Sequence, residues 1–210
     1  MRDLREQLEL CFQGRVCLMG LGNTDYGDDG FGVRLAESLA EAGVPDVVVA
    51  GTTPDRFVGR VAGEGFDHLI FLDAVEFGGA PGSVVFLDAG EMAARFPQIS
   101  THKISLGLLA KWAEANGSTR AWLLGVQPQS LKPGANLTIM VRNTLDVLAG
   151  LVVDAMSMTP KALDCCENRS FSRAERAIQN DRRAVVPTAV QGFRRQHSYA
   201  SAAWCAGSAQ

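Results

Sequence analysis

The residues of this chain best suited to chemistry stand in three short segments. These are Gly20-Leu21-Gly22-Asn23-Thr24-Asp25-Tyr26-Gly27-Asp28-Asp29-Gly30-Phe31-Gly32, then Asp73 at the end of an apolar run, then Ser100-Thr101-His102-Lys103. The first invites comparison with the glycine fingerprint that seats a dinucleotide, in which Gly-x-Gly-x-x-Gly leads into a helix whose free amides hold a pyrophosphate. Gly20 and Gly22 fit that pattern, but Asp25 occupies the third position. Asp28 and Asp29 would also set two carboxylates where the phosphates must lie, and like charges in a partly desolvated cleft repel by several kcal/mol. A cation suits the segment better. Asp28 is expected to cap the following helix, accepting from its first free amides, which leaves Asp29 to project into the cleft. Asp29, Asp73 and His102 would then offer two carboxylates and one imidazole, a set that nickel or zinc accepts with coordination positions left open. Taken singly, each has an ordinary structural use: an aspartate after a strand caps a turn, and a lone histidine satisfies a polar neighbour.

These segments reach one cleft only if the right elements carry them. Arg15 to Leu21 is a short apolar run of the kind expected for a strand buried on both faces. Residues 30–43 place Val33, Leu35, Ala36, Leu39 and Ala40 at helical spacing, with Gly43 at the stop. Asp46 to Ala50 is a β-branched strand, Pro54 to Ala62 a helical connection, and His68 to Leu72 a third strand ending at Asp73. Ser83 to Leu87 follows the turn Gly78 to Gly82 as a fourth strand, free to run antiparallel to its neighbour. Ser105 to Ala115 reads as a helix, Arg120 to Val126 as a fifth strand and Leu137 to Val153 as a final helix. This alternation predicts an α/β fold, a three-layer sandwich with a mostly parallel five-stranded sheet between helices. Ligands of such sheets bind at the carboxyl ends of the strands, where all three segments fall. His68 is expected at the surface or a sheet edge, and Trp112 and Trp122 in core packing.

Composition divides the chain. Residues 1–154 hold 12 Lys+Arg against 19 Asp+Glu, a balance of −7, whereas residues 155–210 hold 8 against 4, a balance of +4. The first stretch is expected to be the working domain and the second a basic tail, mostly disordered, since no sustained period survives past Asp154. A whole-chain charge of −3 argues against electrostatic attachment to nucleic acid. No apolar run reaches the roughly 18 residues of a membrane span, and the charged start at Met1 to Leu10 is unlike a signal peptide. Five cysteines without repeated spacing are expected as reduced thiols in a cytoplasmic protein. His197 with Cys165, Cys166 and Cys205 is unlike a zinc module.

The ordered set of motifs adds to this reading. It comprises Gly20-x-Gly22-Asn23, Gly27-Asp28-Asp29-Gly30-x-Gly32, Leu72-Asp73-Ala74, Thr101-His102-Lys103 and Leu124-Gly125-Val126-Gln127-Pro128. In order and spacing it resembles the hydrogenase maturation proteases, endopeptidases that process the large subunit of nickel-iron hydrogenases. The resemblance implies a twisted five-stranded sheet between helices and removal of a short C-terminal peptide from a nickel-loaded precursor. It implies that Asp29 and Asp73 are the acidic ligands and His102 the histidine ligand of a nickel ion that arrives with the substrate, with no tightly bound organic cofactor. Two routes to hydrolysis stay open: the metal polarises the scissile carbonyl or a water, or a carboxylate such as Asp73 acts as general base. One departure is visible. Family members commonly carry Asp-Gly-Gly-Thr after the second strand, where this chain has Ala50-Gly51-Thr52-Thr53-Pro54. The competing readings are a non-catalytic nickel-dependent chaperone or binding module, and a Rossmann-like nucleotide-binding domain.

Overall fold

A computed structural model describes residues 3–96 and 105–158. In chain order the elements are α1 (Leu4–Cys11), β1 (Val16–Leu21), a 3-10 turn (Gly27–Gly30), α2 (Phe31–Glu41), β2 (Val47–Gly51), α3 (Asp55–Gly63), β3 (His68–Ala74), β4 (Val84–Asp88), α4 (Ala89–Arg95), α5 (Leu106–Asn116), β5 (Arg120–Val126) and α6 (Ile139–Met158). The strands form one sheet in the order β2-β1-β3-β5-β4. β1, β2, β3 and β5 are parallel, and β4 closes one edge antiparallel to β5.

Strand alternation builds two cores on the two faces of this sheet. On one face Leu18, Ile70, Leu72 and Leu124 meet Leu8 of α1, Phe31, Leu35 and Leu39 of α2, and Leu145 and Val152 of α6. On the other, Met19, Leu69, Phe71 and Leu123 meet Val58 and Val61 of α3, Met92 of α4 and Leu109 of α5. Each fully buried Leu or Phe contributes about 1.5–3 kcal/mol. This is the expected three-layer α/β sandwich. α2 ends as its sequence suggests: Gly43, at φ +82°, donates to the Ala40 carbonyl, and Val44 donates to that of Leu39, a glycine-terminated stop.

Two helices have weak sequence signals. α1 buries little beyond Leu8 and Cys11, so its charged residues, among them the i,i+4 pair Arg5–Glu9, dominate the pattern. α4 is too short to show a period, yet Asp88 and Glu91 form a reciprocal capping box: Asp88 Oδ1 accepts the Glu91 N–H at 2.8 Å, and Glu91 Oε2 accepts that of Asp88 at 3.1 Å. The final helix runs to Met158, so residues 155–158 of the expected tail are helical, and the rest of that tail, residues 159–210, lies outside the described residues.

Two side-chain expectations change, at His68 and Trp112, and one holds, at Trp122. His68 does not sit at a sheet edge; it opens the central strand β3, half-buried, and its Nδ1 accepts the Trp122 indole N–H at 3.0 Å. Trp122 also stacks on Phe86 with ring centroids 5.2 Å apart, as a packing role requires. Trp112 is 45% exposed and lies over Gly59 of α3, so it covers the α3–α5 seam and is not buried in the core. Burial holds the His68 pKa below the usual 6.5; Asp67 works against that shift and Arg120 adds to it. The folded state therefore keeps the ring neutral while the unfolded chain takes up a proton. This contribution to stability is complete above about pH 6.5 and is lost as the pH falls from there through the lower folded-state value. An NMR titration of the His68 imidazole is expected to give a midpoint below 6.5, and a midpoint above that value would contradict the burial account.

Close approach of α2 to the sheet fixes the position of the acidic loop. A Cβ on Gly32 would overlap the Leu72 carbonyl oxygen and stand 2.6 Å from that of Leu21, so the start of α2 rests directly on the ends of β3 and β1. Gly32→Ala is expected to lower stability by about 2–3 kcal/mol, because both obstacles are strand backbone and cannot rotate away. A thermal melt indistinguishable from wild type would contradict this packing.

Candidate active site

The strand order places a reversal between β1 and β3: the chain leaves β1 for β2 on one side, then returns past β1 to β3 on the other. In open parallel sheets this switch point is where a crevice opens at the carboxyl ends of the strands. The loop after β1 carries Asp29, and Asp73 is the penultimate residue of β3, so both belong to the elements that meet at that switch point. Their residues are 6% and 4% exposed.

Gly22 lets the loop turn back on β1. Its φ is +108°, and a side chain there would overlap the Asp29 carbonyl oxygen and lie 3.8 Å from the Asp29 carboxyl carbon. Asp29 is oriented by one bond, from the Asn23 N–H to Oδ2 at 2.8 Å. Among the described residues no donor meets its other oxygen. A buried carboxylate oxygen without a donor is an unmet acceptor, and a cation is one partner that resolves it. Asp73 is held by the β3–β5 ladder opposite Gly125, and its Oδ1 accepts the Ala74 N–H at 2.9 Å.

Asp28 takes a different role from the one expected. The residue before α2 is Gly30, with no side-chain capping bond, and the Asp28 carboxylate points instead to the connection between β5 and α6. It accepts the N–H groups of Gln129 at 2.8 Å, Ser130 at 2.9 Å and Thr138 at 2.7 Å, together with the Thr138 hydroxyl at 3.0 Å. Its own N–H donates to the Ser130 carbonyl at 3.0 Å. Asp28, fully buried, thus pins residues 129–138 to the acidic turn, while the carboxylate of its neighbour Asp29 turns back to the Asn23 N–H. With Asp28 turned to this loop, the objections to a nucleotide that stand are Asp25 in the third glycine position and the neighbouring Asp29 carboxylate.

His102 lies outside the described residues, three positions before Ser105, whose Oγ accepts the Leu108 N–H at 3.3 Å and caps α5. The structure therefore describes two of the three expected ligands, one in the loop after β1 and one at the end of the adjacent strand β3. Among the described residues no group of three or more His, Cys, Asp or Glu side chains could hold a metal ion by itself. Lys103 also falls outside the described residues, as do Cys165, Cys166, Cys205 and His197. Cys11 and Cys17 are free and buried, with burial pushing their thiols up to about 11 and about 12, so neither is a reactive nucleophile.

Two further residues shape the site. Thr138 closes the Asp28 knot, and nothing in its local sequence marks it. Gln127, 5% exposed, accepts through Oε1 from the N–H groups of Phe77 at 2.9 Å and Gly79 at 3.1 Å and donates through Nε2 to Glu76 at 2.8 Å. A cavity of 240 Å³ opens beside the same loop, lined by Thr24, Gly27, Arg34, Arg142 and Asp146 among others; neither Asp29 nor Asp73 lines it.

Residues 33–155 match the family model described as hydrogenase maturation protease. The matched stretch includes Asp73 and His102 and begins just after Asp29. The chain is 32% identical over 160 residues to the hydrogenase 2 maturation protease of Escherichia coli K12, an alignment that spans 70% of this chain and 96% of that protein. It is 31% identical to the hydrogenase expression/formation protein HupD of Rhodobacter capsulatus, over 63% of this chain and 66% of that one. Among solved structures, the NiFe-hydrogenase maturation protease HycI from Thermococcus kodakarensis superposes with a TM-score of 0.64 at 31% identity, covering 72% of this chain and 99% of that chain. The E. coli maturating endopeptidase HybD superposes with a TM-score of 0.58 at 28% identity, over 68% and 92% of the two chains.

Proposed function

Because the chain belongs to the hydrogenase maturation protease family, we propose that it is an endopeptidase that removes the C-terminal peptide from the nickel-loaded precursor of a nickel-iron hydrogenase large subunit. The observation that carries this reading is the pair of buried carboxylates on either side of the sheet's switch point, one of them with an oxygen that no described donor meets.

The nickel belongs to the substrate. Held by precursor ligands, it accepts Asp29, Asp73 and His102 as additional partners, and a precursor without the ion leaves those groups unmatched. Selectivity is that difference in affinity, so cleavage follows metal insertion and not the reverse. Asp29 is oriented by the Asn23 amide, and Asp73 is fixed by the β3 ladder. Asp73 serves either as a partner of the ion or as the base that takes a proton from the attacking water. The two carboxylates come from separate elements, the loop after β1 and the end of the adjacent strand β3. We place the enzyme in the cytoplasm, in keeping with the free thiols of Cys11 and Cys17. No helix among the described residues is long and apolar enough to cross a membrane.

Incubating purified enzyme with loaded precursor and weighing the products tests the reading. Wild type is expected to release one C-terminal peptide. His102→Ala is expected to release it at least about a hundredfold more slowly with its thermal melt preserved, within the range of losing a group that acts on the reacting centre. Binding of the precursor without any peptide release by wild type would instead identify a chaperone or binding module.

A further inference from the structure

The β3–β5 ladder holds Asp73 opposite Gly125 and Ala74 opposite Val126, and then ends. Val75 still reaches it, donating its N–H to the Val126 carbonyl at 2.9 Å. From Glu76 to Gly79 the backbone, among the described residues, pairs with no strand. One side chain takes the place of the ladder. Gln127, the first residue past β5, accepts the Phe77 and Gly79 N–H groups on Oε1 and donates from Nε2 to Glu76 Oε2. Its main chain is fixed in turn, its N–H donating to the Ser83 carbonyl at 2.8 Å and its carbonyl accepting the Gly82 N–H at 2.9 Å. Both ends of the connection between β3 and β4 are therefore tied to one residue.

We propose that Gln127 is a positioning residue for precursor recognition: it holds Glu76–Gly79 as a rigid rim of the crevice beside Asp73, with the exposed Glu76 carboxylate fixed at its edge. The inference rests on the proteolytic reading and adds to it a wall that the substrate meets. The chemistry calls for a side chain with a two-lone-pair acceptor and a donor on one planar group, which the carboxamide provides. Leucine would leave two amides without an acceptor, and glutamate would oppose a second carboxylate to Glu76. With leucine the rim loses its fixed form, and with glutamate its Glu76 edge does; the released part must be ordered again each time a precursor binds, which weakens binding. Asp73 keeps its ladder partners in both variants, so the bond-breaking step is left alone.

Steady-state cleavage of the nickel-loaded large-subunit precursor from the same organism tests this with four proteins: wild type, Gln127→Leu, Gln127→Glu and the double variant Gln127→Glu/Glu76→Gln. Each single variant is expected to raise KM at least about tenfold while kcat stays within about twofold, as loss of binding organisation without loss of the reacting groups requires. The double variant exchanges donor and acceptor. Its carboxamide at position 76 donates to its carboxylate at position 127, which also accepts the Phe77 and Gly79 amides, an arrangement like that around Asp28. The KM of the double variant is expected to return to within about threefold of wild type. A KM unchanged in both single variants, a loss confined to kcat, or a double variant no better than Gln127→Glu would each overturn the inference. If wild type itself leaves every loaded precursor intact, the proteolytic reading falls and takes this inference with it, a result distinct from normal wild-type cleavage with unaltered variants.

Discussion

Asp29→Asn and Asp73→Asn are each expected to slow precursor processing by at least about a hundredfold without unfolding the protein, the effect of removing a charged group from the reacting centre. Asparagine is the informative replacement because it preserves the local structure. Its carbonyl oxygen can still accept the Asn23 N–H in one case and the Ala74 N–H in the other, and the side-chain volume is nearly unchanged. What is lost is the negative charge and the capacity to bind a cation or accept a proton from water. The stability of both variants should stay within about 1 kcal/mol of wild type, since neither substitution opens a cavity or strips either of those donors of its acceptor. Processing rates read by mass spectrometry beside thermal melts check both halves. A variant that melts normally and processes normally would remove that residue from the site.

The largest stability effect is expected at the neighbouring position. Asp28→Ala removes one carboxylate and leaves three backbone N–H groups, those of Gln129, Ser130 and Thr138, and one hydroxyl without their acceptor. Each unmet donor costs about 1–3 kcal/mol where water cannot replace the lost partner. Part of this knot reaches solvent, so the sum falls short of the maximum, and a loss of about 3–5 kcal/mol is expected. For a folded unit of this size that lowers the melting temperature by roughly 10 °C. Asp28→Asn should lie between the two, because the amide keeps acceptors for some donors and turns its NH2 toward the others. Adjacent aspartates thus separate by assay: changes at Asp28 appear in the melt, changes at Asp29 in the rate. A melting temperature for Asp28→Ala within a degree or two of wild type would show that the knot contributes little.

Much of this architecture is legible in the residues, for identifiable reasons. β1 is buried along its full length, and continuous burial leaves an uninterrupted apolar run. β5 and α5 announce themselves by composition, and Gly43 marks the end of α2. The direction of β4 follows from the short glycine-rich turn before it, too brief for the crossover a parallel strand needs. The placement of Asp29 after β1 and of Asp73 at the end of β3 is legible, because strand-end positions are fixed once the strands are. Asp28 reads as a cap because capping is a local pattern, whereas its true partners lie about a hundred residues away and only the folded chain brings them close. Thr138 is silent in the sequence for the same reason. Gln127 stands inside a motif without a visible role, since nothing nearby in sequence says that its amide clasps residues 76–79. α1 is hidden by its charges and α4 by its brevity, although the Asp88…Glu91 spacing carries its capping signal.

Whether the protease reads nickel on its substrate is tested directly by the mass of the large-subunit precursor after incubation with wild-type enzyme, in its nickel-loaded and metal-free forms. The loaded form is expected to lose a single C-terminal peptide and the metal-free form to remain intact over the same period. Equal cleavage of both forms, or cleavage of neither, would contradict the account.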